Sequence, residues 1–105
     1  RTDLVGSCSS AWVIEVYPAG TLKAHGIEAT GYKKKSGRDK RLEIIGQMTA
    51  LIEIPERLVP ALAETDDALD AALCMLAGAD FLSGQAIGPA ASELERARKE
   101  GWIWC

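Results

Sequence analysis

The sequence predicts an α/β fold, because a strand-like segment near its start is followed by several helical segments and a short strand-like end. The strand is indicated by a nearly continuous apolar run over residues 12–17 that ends at Pro18. Such a run is typical of a strand buried on both faces. The clearest helix runs from Thr65 or Asp66 to about Leu82 and is apolar nearly all round after its first turn, which predicts a buried helix.

The other elements of the N-terminal half are less regular. Residues 1–10 are small and mostly polar, and this composition indicates a connecting segment. Thr21 is a suitable N-cap for a short helix that ends near His25, since Gly26 follows. A lone histidine at a helix end is usually solvated or part of the cap. The residues after it, 27–37, predict a basic loop.

In the C-terminal half, apolar residues recur at helical spacing over residues 38–53, and Pro55 ends that pattern. Residues 54–64 predict turns or a short helix, and residues 90–99 a surface helix. The last segment, 102–104, predicts a short strand or a docked tail. Because one strong strand cannot form a sheet, we expect the missing strands to come from an absent N-terminal part or from a second copy of the chain.

Length and composition limit the class of protein. The chain of 105 residues is enough for a single domain or for the C-terminal part of one. A hydrophobic content of 48% with 26% charged residues indicates a soluble globular protein. No apolar run approaches the roughly 18 residues that a membrane span needs, and no secretory signal is present, so we expect a cytoplasmic protein. Because the chain begins at Arg1, we expect a fragment, a processed chain or the ordered part of a longer one.

The three cysteines, Cys8, Cys74 and Cys105, are odd in number and lack CxxC spacing. This pattern is typical of reduced thiols and makes a zinc site improbable. Cys74 lies in the apolar part of the predicted long helix, and we expect it to be a small core residue.

The beginning of that helix is the first candidate site. Asp66 and Asp70 lie about 40° apart around a helix, and Asp67 and Asp70 about 60° apart, so three carboxylates crowd one side of one turn. Carboxylates so close repel each other unless a proton or a cation lies between them. Their oxygen atoms suit a hard divalent cation. The alternative is that Asp66 or Asp67 only caps the helix and Asp70 favours its positive end.

Glu15, in the middle of the predicted buried strand, is the second candidate. A carboxylate there is costly unless it is paired, protonated or bound to a metal. The alternative is a glutamate that faces solvent on an edge strand.

A local basic patch is the third candidate, despite the net charge of −3. Half of the twelve basic residues lie within nine positions, opposed only by Asp39: Lys33, Lys34, Lys35, Arg38, Lys40 and Arg41. Such a patch can contact the phosphates of a nucleic acid. The alternative is a solvated loop without a ligand.

Several segments, in this order, resemble the DUF429 family of predicted nucleases with a ribonuclease H-like fold. They are Arg1-Thr2-Asp3, Val13-Ile14-Glu15-Val16-Tyr17-Pro18-Ala19, Tyr32-Lys33, Thr65-Asp66-Asp67-Ala68-Leu69-Asp70-Ala71-Ala72-Leu73-Cys74 and Glu100-Gly101-Trp102-Ile103. In the wider superfamily, acidic residues on strands and on a last helix bind divalent metal. The resemblance therefore implies that Glu15, Asp67 and Asp70 are catalytic residues that bind Mg²⁺ or Mn²⁺, with Asp66 as an additional candidate ligand.

Two departures from the family pattern matter. The first strand of the family, which carries its own catalytic Asp, is absent, and only the short segment Leu4–Ser10 separates Asp3 from the strand. The resemblance thus implies an incomplete ribonuclease H-like domain that forms a homo-oligomer or associates with a missing N-terminal segment. The function it implies is a metal-dependent nuclease or phosphodiesterase. The alternative is a non-catalytic module that binds nucleic acid or is structural and that dimerises through its sheet.

Overall fold

A computed structural model describes residues 6–8 and 11–104, with the side chains of residues 14–97 and 101–104. It contains four short strands and five α-helices in the described part of the chain. The strands are β1 (Gly6–Cys8), β2 (Ala11–Val13), β3 (Glu15–Val16) and β4 (Ile103–Trp104). The helices are α1 (Pro18–Ala24), α2 (Arg38–Met48), α3 (Val59–Glu64), α4 (Asp66–Leu82) and α5 (Leu94–Glu100); short 3₁₀ turns at Glu56–Leu58 and Ala91–Glu93 precede α3 and α5.

The strands form two separate pairs rather than one sheet. β1 and β2 are antiparallel, with Gly6 opposite Val13, and β3 and β4 are parallel, with Glu15 opposite Ile103. The expectation that residues 1–10 only connect is wrong for Gly6–Cys8, where pairing with β2 makes a strand of small and polar residues. The prediction of mixed helices and strands is confirmed, with helix predominant. The ribonuclease H-like topology stays a prediction.

The core lies between the helices α1 to α4. Its largest fully buried side chains come from α1, α2 and α4: Leu22, Ile44, Ile45, Met48, Leu69 and Leu73. Helix α4 buries only one face, because Cys74 is exposed and Met75 is 75% exposed. The predictions of a helix buried all round and of a core Cys74 are therefore wrong. One face of α4 already supplies enough apolar residues to pack on the core, so the further apolar residues on its other face remain exposed.

The limits of α4 confirm the prediction from sequence. Thr65 is the N-cap, and its side-chain oxygen accepts a hydrogen bond of 3.1 Å from the backbone N–H of Ala68. This bond satisfies one of the free N–H groups of the first turn, as a threonine cap should. The helix ends at Leu82, and Gly84 follows with a φ of 78°. The first turn thus presents its aspartates at a fixed position.

Two other helix limits differ from prediction. α1 begins at Pro18, since proline fits the first turn, where its missing N–H is not needed. Thr21 is therefore inside the helix, where its hydroxyl donates to the carbonyl of Tyr17 at 3.4 Å, and it is not the N-cap. α2 ends at Met48 and not near residue 53. The backbone N–H groups of Leu51 and Ile52 both donate to the Met48 carbonyl, which closes a turn there.

The C-terminal segment docks on the end of α4. Trp104 is buried and its ring meets that of Phe81 edge to face, with centroids 4.8 Å apart. The indole N–H of Trp102 donates to the carbonyl of Ile87 at 3.1 Å. The predicted short strand at the end of the chain is confirmed as β4. Across the described residues, the helices are too short or too polar to cross a membrane.

Candidate metal and phosphate site

The three aspartates among the first five residues of α4 come together in the structure. Asp66, Asp67 and Asp70 each offer a carboxylate oxygen, and these atoms all lie within 4.8 Å of one another. Asp67 is exposed, whereas Asp66 and Asp70 are partly buried. This acidic cluster (Asp66, Asp67 and Asp70) could hold a metal ion, because carboxylate oxygens at such separations can share one cation.

Two residues of the loop between α1 and α2 bind Asp70. The hydroxyl of Tyr32 donates to one carboxylate oxygen at 2.8 Å, and the Lys33 ammonium donates to the other at 2.7 Å. The Lys33 Nζ atom is also 3.8 Å from Asp66. Lys33 therefore supplies a positive charge where a metal ion would otherwise do so, and it reduces the repulsion within the acidic cluster.

Protonation at this contact is well defined. Burial, with hydrogen bonding to Asp70 as a second cause, raises the pKa of Tyr32 to about 12. The hydrogen bond to Asp70 raises the pKa of Lys33 well above its usual range. At neutral pH Tyr32 is therefore a neutral donor and Lys33 a cation.

Glu15, the strand residue that was expected to join this site, is not part of the acidic cluster. It is exposed on β3 opposite Ile103. The expectation of a carboxylate buried in a strand is wrong, because the pairing of β3 with β4 leaves the Glu15 side chain exposed. The role that the family resemblance gives Glu15 stays a prediction.

The basic patch divides into surface residues and one buried residue. Lys34 and Lys35 are exposed, and within the described part of the chain neither forms an ion pair. Arg38 is 3.5 Å from Glu64, and Lys40 is 2.8 Å from Glu28. The two free lysines are the members of the patch that remain available to a phosphate.

Arg41 is directed inward and is only 2% exposed. Its guanidinium donates to four backbone carbonyls, of Ala63 at 2.7 Å, Tyr32 and Lys34 at 2.8 Å, and Glu64 at 3.3 Å. Four of its five N–H groups are thus engaged by the loop and by the end of α3. Arg41 therefore holds the loop beside the acidic cluster, and its contact with phosphate stays a prediction.

Gly37 allows this close packing. A Cβ atom at this position would lie 2.4 Å from the carbonyl oxygen of Gly31 and 3.0 Å from Nη1 of Arg41. No side chain fits there without displacement of the loop backbone. The loop of residues 31–37 is thus a tight turn that is fixed from inside.

Two open clefts lie on either side of this loop. The metal-side cleft, of about 380 Å³, is lined by Lys33, Lys34, Lys35, Arg41, Glu64, Thr65, Asp66 and Asp67. The tyrosine-side cleft, of about 430 Å³, is lined by Tyr17, Ala19, Ala29, Thr30, Gly31, Tyr32, Lys33 and Lys34. Lys33 and Lys34 line both, so they form the ridge between the two clefts.

One polar pair was not anticipated from sequence. Asp80 of α4 is 7% exposed, and its carboxylate lies 2.6 Å from Nε2 of His25, the C-cap of α1. His25 is part of the cap, as expected, but it also joins α1 to α4. The available signal was an aspartate on the inner, apolar face of a helix, which requires a polar partner.

Comparison with known proteins identifies the family. No curated protein and no solved structure shows significant similarity to the chain. The sequence pattern of a family described as a protein of unknown function, DUF429, matches residues 5–94. This match contains the acidic cluster, the basic patch and Glu15, and it confirms the resemblance noted from the motifs. The chain belongs to the DUF429 family.

Proposed function

We propose that this protein is a metal-dependent phosphodiesterase that acts on nucleic acid. The observation that supports this function best is the metal-side cleft, in which Asp66 and Asp67 of the acidic cluster lie beside exposed lysines. Carboxylates hold the cations that hydrolyse phosphodiesters, and lysines contact the charged backbone of the substrate. Both groups are present within one small cleft.

The donors suit Mg²⁺ or Mn²⁺. Asp66, Asp67 and Asp70 offer only hard oxygen atoms, and no thiol or imidazole lies in the same cluster among the described residues. This donor set favours Mg²⁺ or Mn²⁺ over zinc. When bound, the metal would activate water and stabilise the leaving oxygen. Glu15 is an additional ligand in the family resemblance, and the proposal for the acidic cluster does not depend on it.

Lys33 has two consequences for this function. Its ammonium competes with a metal for Asp70, so metal affinity is lower than three free carboxylates would give. Lys33 also lines both clefts beside Lys34. When a metal displaces it from Asp70, its ammonium is free to hold a phosphate near that metal. Exchange of a lysine for a metal thus couples metal binding to substrate binding.

The test is calorimetric titration with Mn²⁺, followed by a cleavage assay. Wild type is expected to bind Mn²⁺, and Asp67→Asn to bind it at least about tenfold more weakly, a difference of about 1.4 kcal/mol. Asp67 is exposed, so this variant is expected to fold normally. Labelled DNA and RNA, single-stranded and duplex, are then incubated with Mg²⁺, Mn²⁺ or EDTA. Equal Mn²⁺ binding by the two proteins, or cleavage that persists in EDTA, would contradict the proposal.

A second candidate is a non-catalytic module that binds nucleic acid. It is favoured by the same Lys33 contact, because a lysine that neutralises the acidic cluster makes a metal unnecessary for folding. In this case the basic patch binds nucleic acid equally well with and without divalent ions, and no cleavage is seen. Binding should still weaken steeply with salt, since lysine contacts to phosphate release counterions.

Self-association is also part of this second candidate. The pair β3–β4 has only two strands, and the exposed backbone edges of such a pair can bind another strand. Ile103 on β4 is 52% exposed. Sedimentation over a range of concentrations should show a dimer or larger species, whereas a compact monomer throughout would exclude association through this sheet.

A further inference from the structure

The tyrosine-side cleft has a composition that the proposed hydrolysis does not use. Tyr17 precedes α1 and is 55% exposed, although burial of an aromatic ring is favourable. It lines a cleft of about 430 Å³ together with small residues of α1 and of the loop. This volume lies within the range of about 300–1,000 Å³ that is typical of small-molecule sites.

The charge of this cleft is positive. Its lining residues include Lys33 and Lys34 and no carboxylate. Lys33 is engaged by Asp70, but Lys34 has no ion pair with any other described residue. An aromatic ring beside a free lysine is complementary to a flat ring that carries a phosphate, and this is the chemistry of a nucleotide.

The connection between the clefts indicates the form of that nucleotide. Lys33 and Lys34 line both clefts, so one strand that crosses this ridge can place a base beside Tyr17 and a phosphate beside the acidic cluster. In a duplex the bases are paired and stacked on each other, and a protein ring can reach their faces only after they are unstacked. A base that is already unpaired can stack on an aromatic side chain directly.

We propose that the tyrosine-side cleft binds an unpaired base of single-stranded nucleic acid, with Tyr17 as the stacking residue and Lys34 as a phosphate contact. This inference rests on the proposed function, because it names the substrate of the same site as single-stranded. It adds a binding role for Tyr17, which lies outside the acidic cluster and the basic patch.

The test measures binding in EDTA, so that metal binding and cleavage play no part. Fluorescence anisotropy is recorded with a labelled oligothymidylate, with an abasic strand of equal length, and with the same oligothymidylate paired to its complement. Tyr17→Ala is expected to weaken binding of the oligothymidylate by about five- to 150-fold, the effect of one lost stacking contact. It should change binding of the abasic strand and of the duplex by less than about twofold.

Matched variants separate the contributions. Tyr17→Phe keeps the ring and is expected to bind within about twofold of wild type, whereas Tyr17→Leu keeps an apolar side chain and should behave as Tyr17→Ala. Lys34→Ala is expected to weaken all three probes, because a phosphate contact does not depend on the base. Lys23→Ala, an exposed lysine of α1 that does not line the cleft, is the charge control and should have no effect.

The outcomes distinguish this inference from the proposed function. If Tyr17→Ala binds oligothymidylate as wild type does, or if wild type binds none of the probes, the inference is wrong even where Mn²⁺ binding and cleavage are found. If Tyr17→Ala weakens all probes equally, Tyr17 does not stack on a base and the inference is again overturned. If Tyr17 acts as expected but Asp67→Asn leaves Mn²⁺ binding unchanged, the cleft stands and the proposed hydrolysis fails.

Discussion

The two ends of α4 each carry an aspartate that is bound by another element, yet their surroundings differ. Asp70, one turn after the start of the helix, accepts hydrogen bonds from Tyr32 and Lys33, and its neighbours Asp66 and Asp67 line the metal-side cleft. Asp80, near the last turn, is 7% exposed and bound to His25 at 2.6 Å. One carboxylate thus has an ammonium partner that solvent can reach, and the other a ring held between two helices.

The difference indicates which contact can exchange. The Lys33 side chain is 53% exposed and can leave Asp70 for water or for a phosphate at little cost. If His25 left Asp80, a buried carboxylate between α1 and α4 would lose its hydrogen-bond partner, which is costly. We therefore infer a structural role for Asp80 and, within the proposed function, a metal-binding role for Asp70 in addition to its contact with Tyr32. The following predictions test this division.

The largest expected effect is on the loop that presents Lys33. Arg41→Ala leaves four backbone carbonyls without their donor, and those of Tyr32 and Ala63 belong to buried residues. Each buried, unsatisfied acceptor costs about 1–3 kcal/mol, so loss of the donor to these two carbonyls should lower the free energy of unfolding by about 2–6 kcal/mol. Urea denaturation measures it. Arg38→Ala, an exposed arginine in the same patch, is the control and should cost less than about 0.5 kcal/mol.

The second prediction concerns the buried end of α4. His25→Ala leaves Asp80 without its partner and should lower the free energy of unfolding by about 1.5–3 kcal/mol, the range for hydrogen bonds to charged groups. Asp80→Asn, which keeps a polar group, should cost less. Thermal and urea denaturation of both single variants and the double variant give the coupling energy. Additive effects would show that the pair is not a structural contact. Mn²⁺ binding should be unchanged in all three.

Sequence reasoning predicted the N-terminal end of α4 better than its C-terminal end. The aspartates at helical spacing and the Thr65 cap depend on neighbours within one turn, so the sequence contains the necessary information. The His25–Asp80 pair joins residues 55 positions apart and could not be located without the packing of α1 on α4. Only the isolated polar residue on an apolar face indicated that a partner was needed.

Burial was the property that local patterns predicted least well. Glu15 and Cys74 lie in apolar runs but are exposed, whereas Arg41 lies in a basic run but is buried. Each assignment depends on which elements cover the residue. Among the described residues β3 pairs with β4 alone, α4 is covered on one face, and Arg41 donates to carbonyls of the loop and of α3. Tertiary packing, and not local composition, decides these three positions.

The third prediction tests the exchange at Asp70. Lys33→Met removes the competing ammonium and should raise Mn²⁺ affinity by about three- to tenfold, while the free energy of unfolding changes by less than about 1 kcal/mol. Calorimetric titration and urea denaturation measure the two quantities. Metal affinity that is unchanged or lower would show that Lys33 does not compete with a metal. Lys35→Ala, which leaves the Lys33 contacts intact, is the matched control.

Asp70→Asn and Asp67→Asn sharpen the same test. Loss of one charge from a crowded cluster should by itself relieve repulsion, and the sequence predicts a fold that is intact or slightly more stable in Asp70→Asn. The contacts of Asp70 with Tyr32 and Lys33 change this expectation. We now expect Asp70→Asn to lower both metal affinity and stability, and Asp67→Asn to lower metal affinity alone. Equal stability of the two variants would argue against a structural role for the Tyr32 contact.

The smallest expected effect concerns an exposed pair that binds no metal. Hydrogen bonds from Lys40 and from Thr30 lower the pKa of Glu28 from 4.5 to about 2. A carboxylate with a lowered pKa in the folded state contributes stability that is fully present above pH 4.5 and is lost as the pH falls toward 2. Glu28→Gln should therefore flatten the pH dependence of unfolding in this window and change nothing at pH 7 beyond a small loss that high salt removes. Urea denaturation in steps of pH measures the slope. An unchanged slope would show that the Lys40–Glu28 pair has no effect on stability. That outcome would extend the comparison drawn for α4, in which a contact open to water contributes less to stability than a buried one.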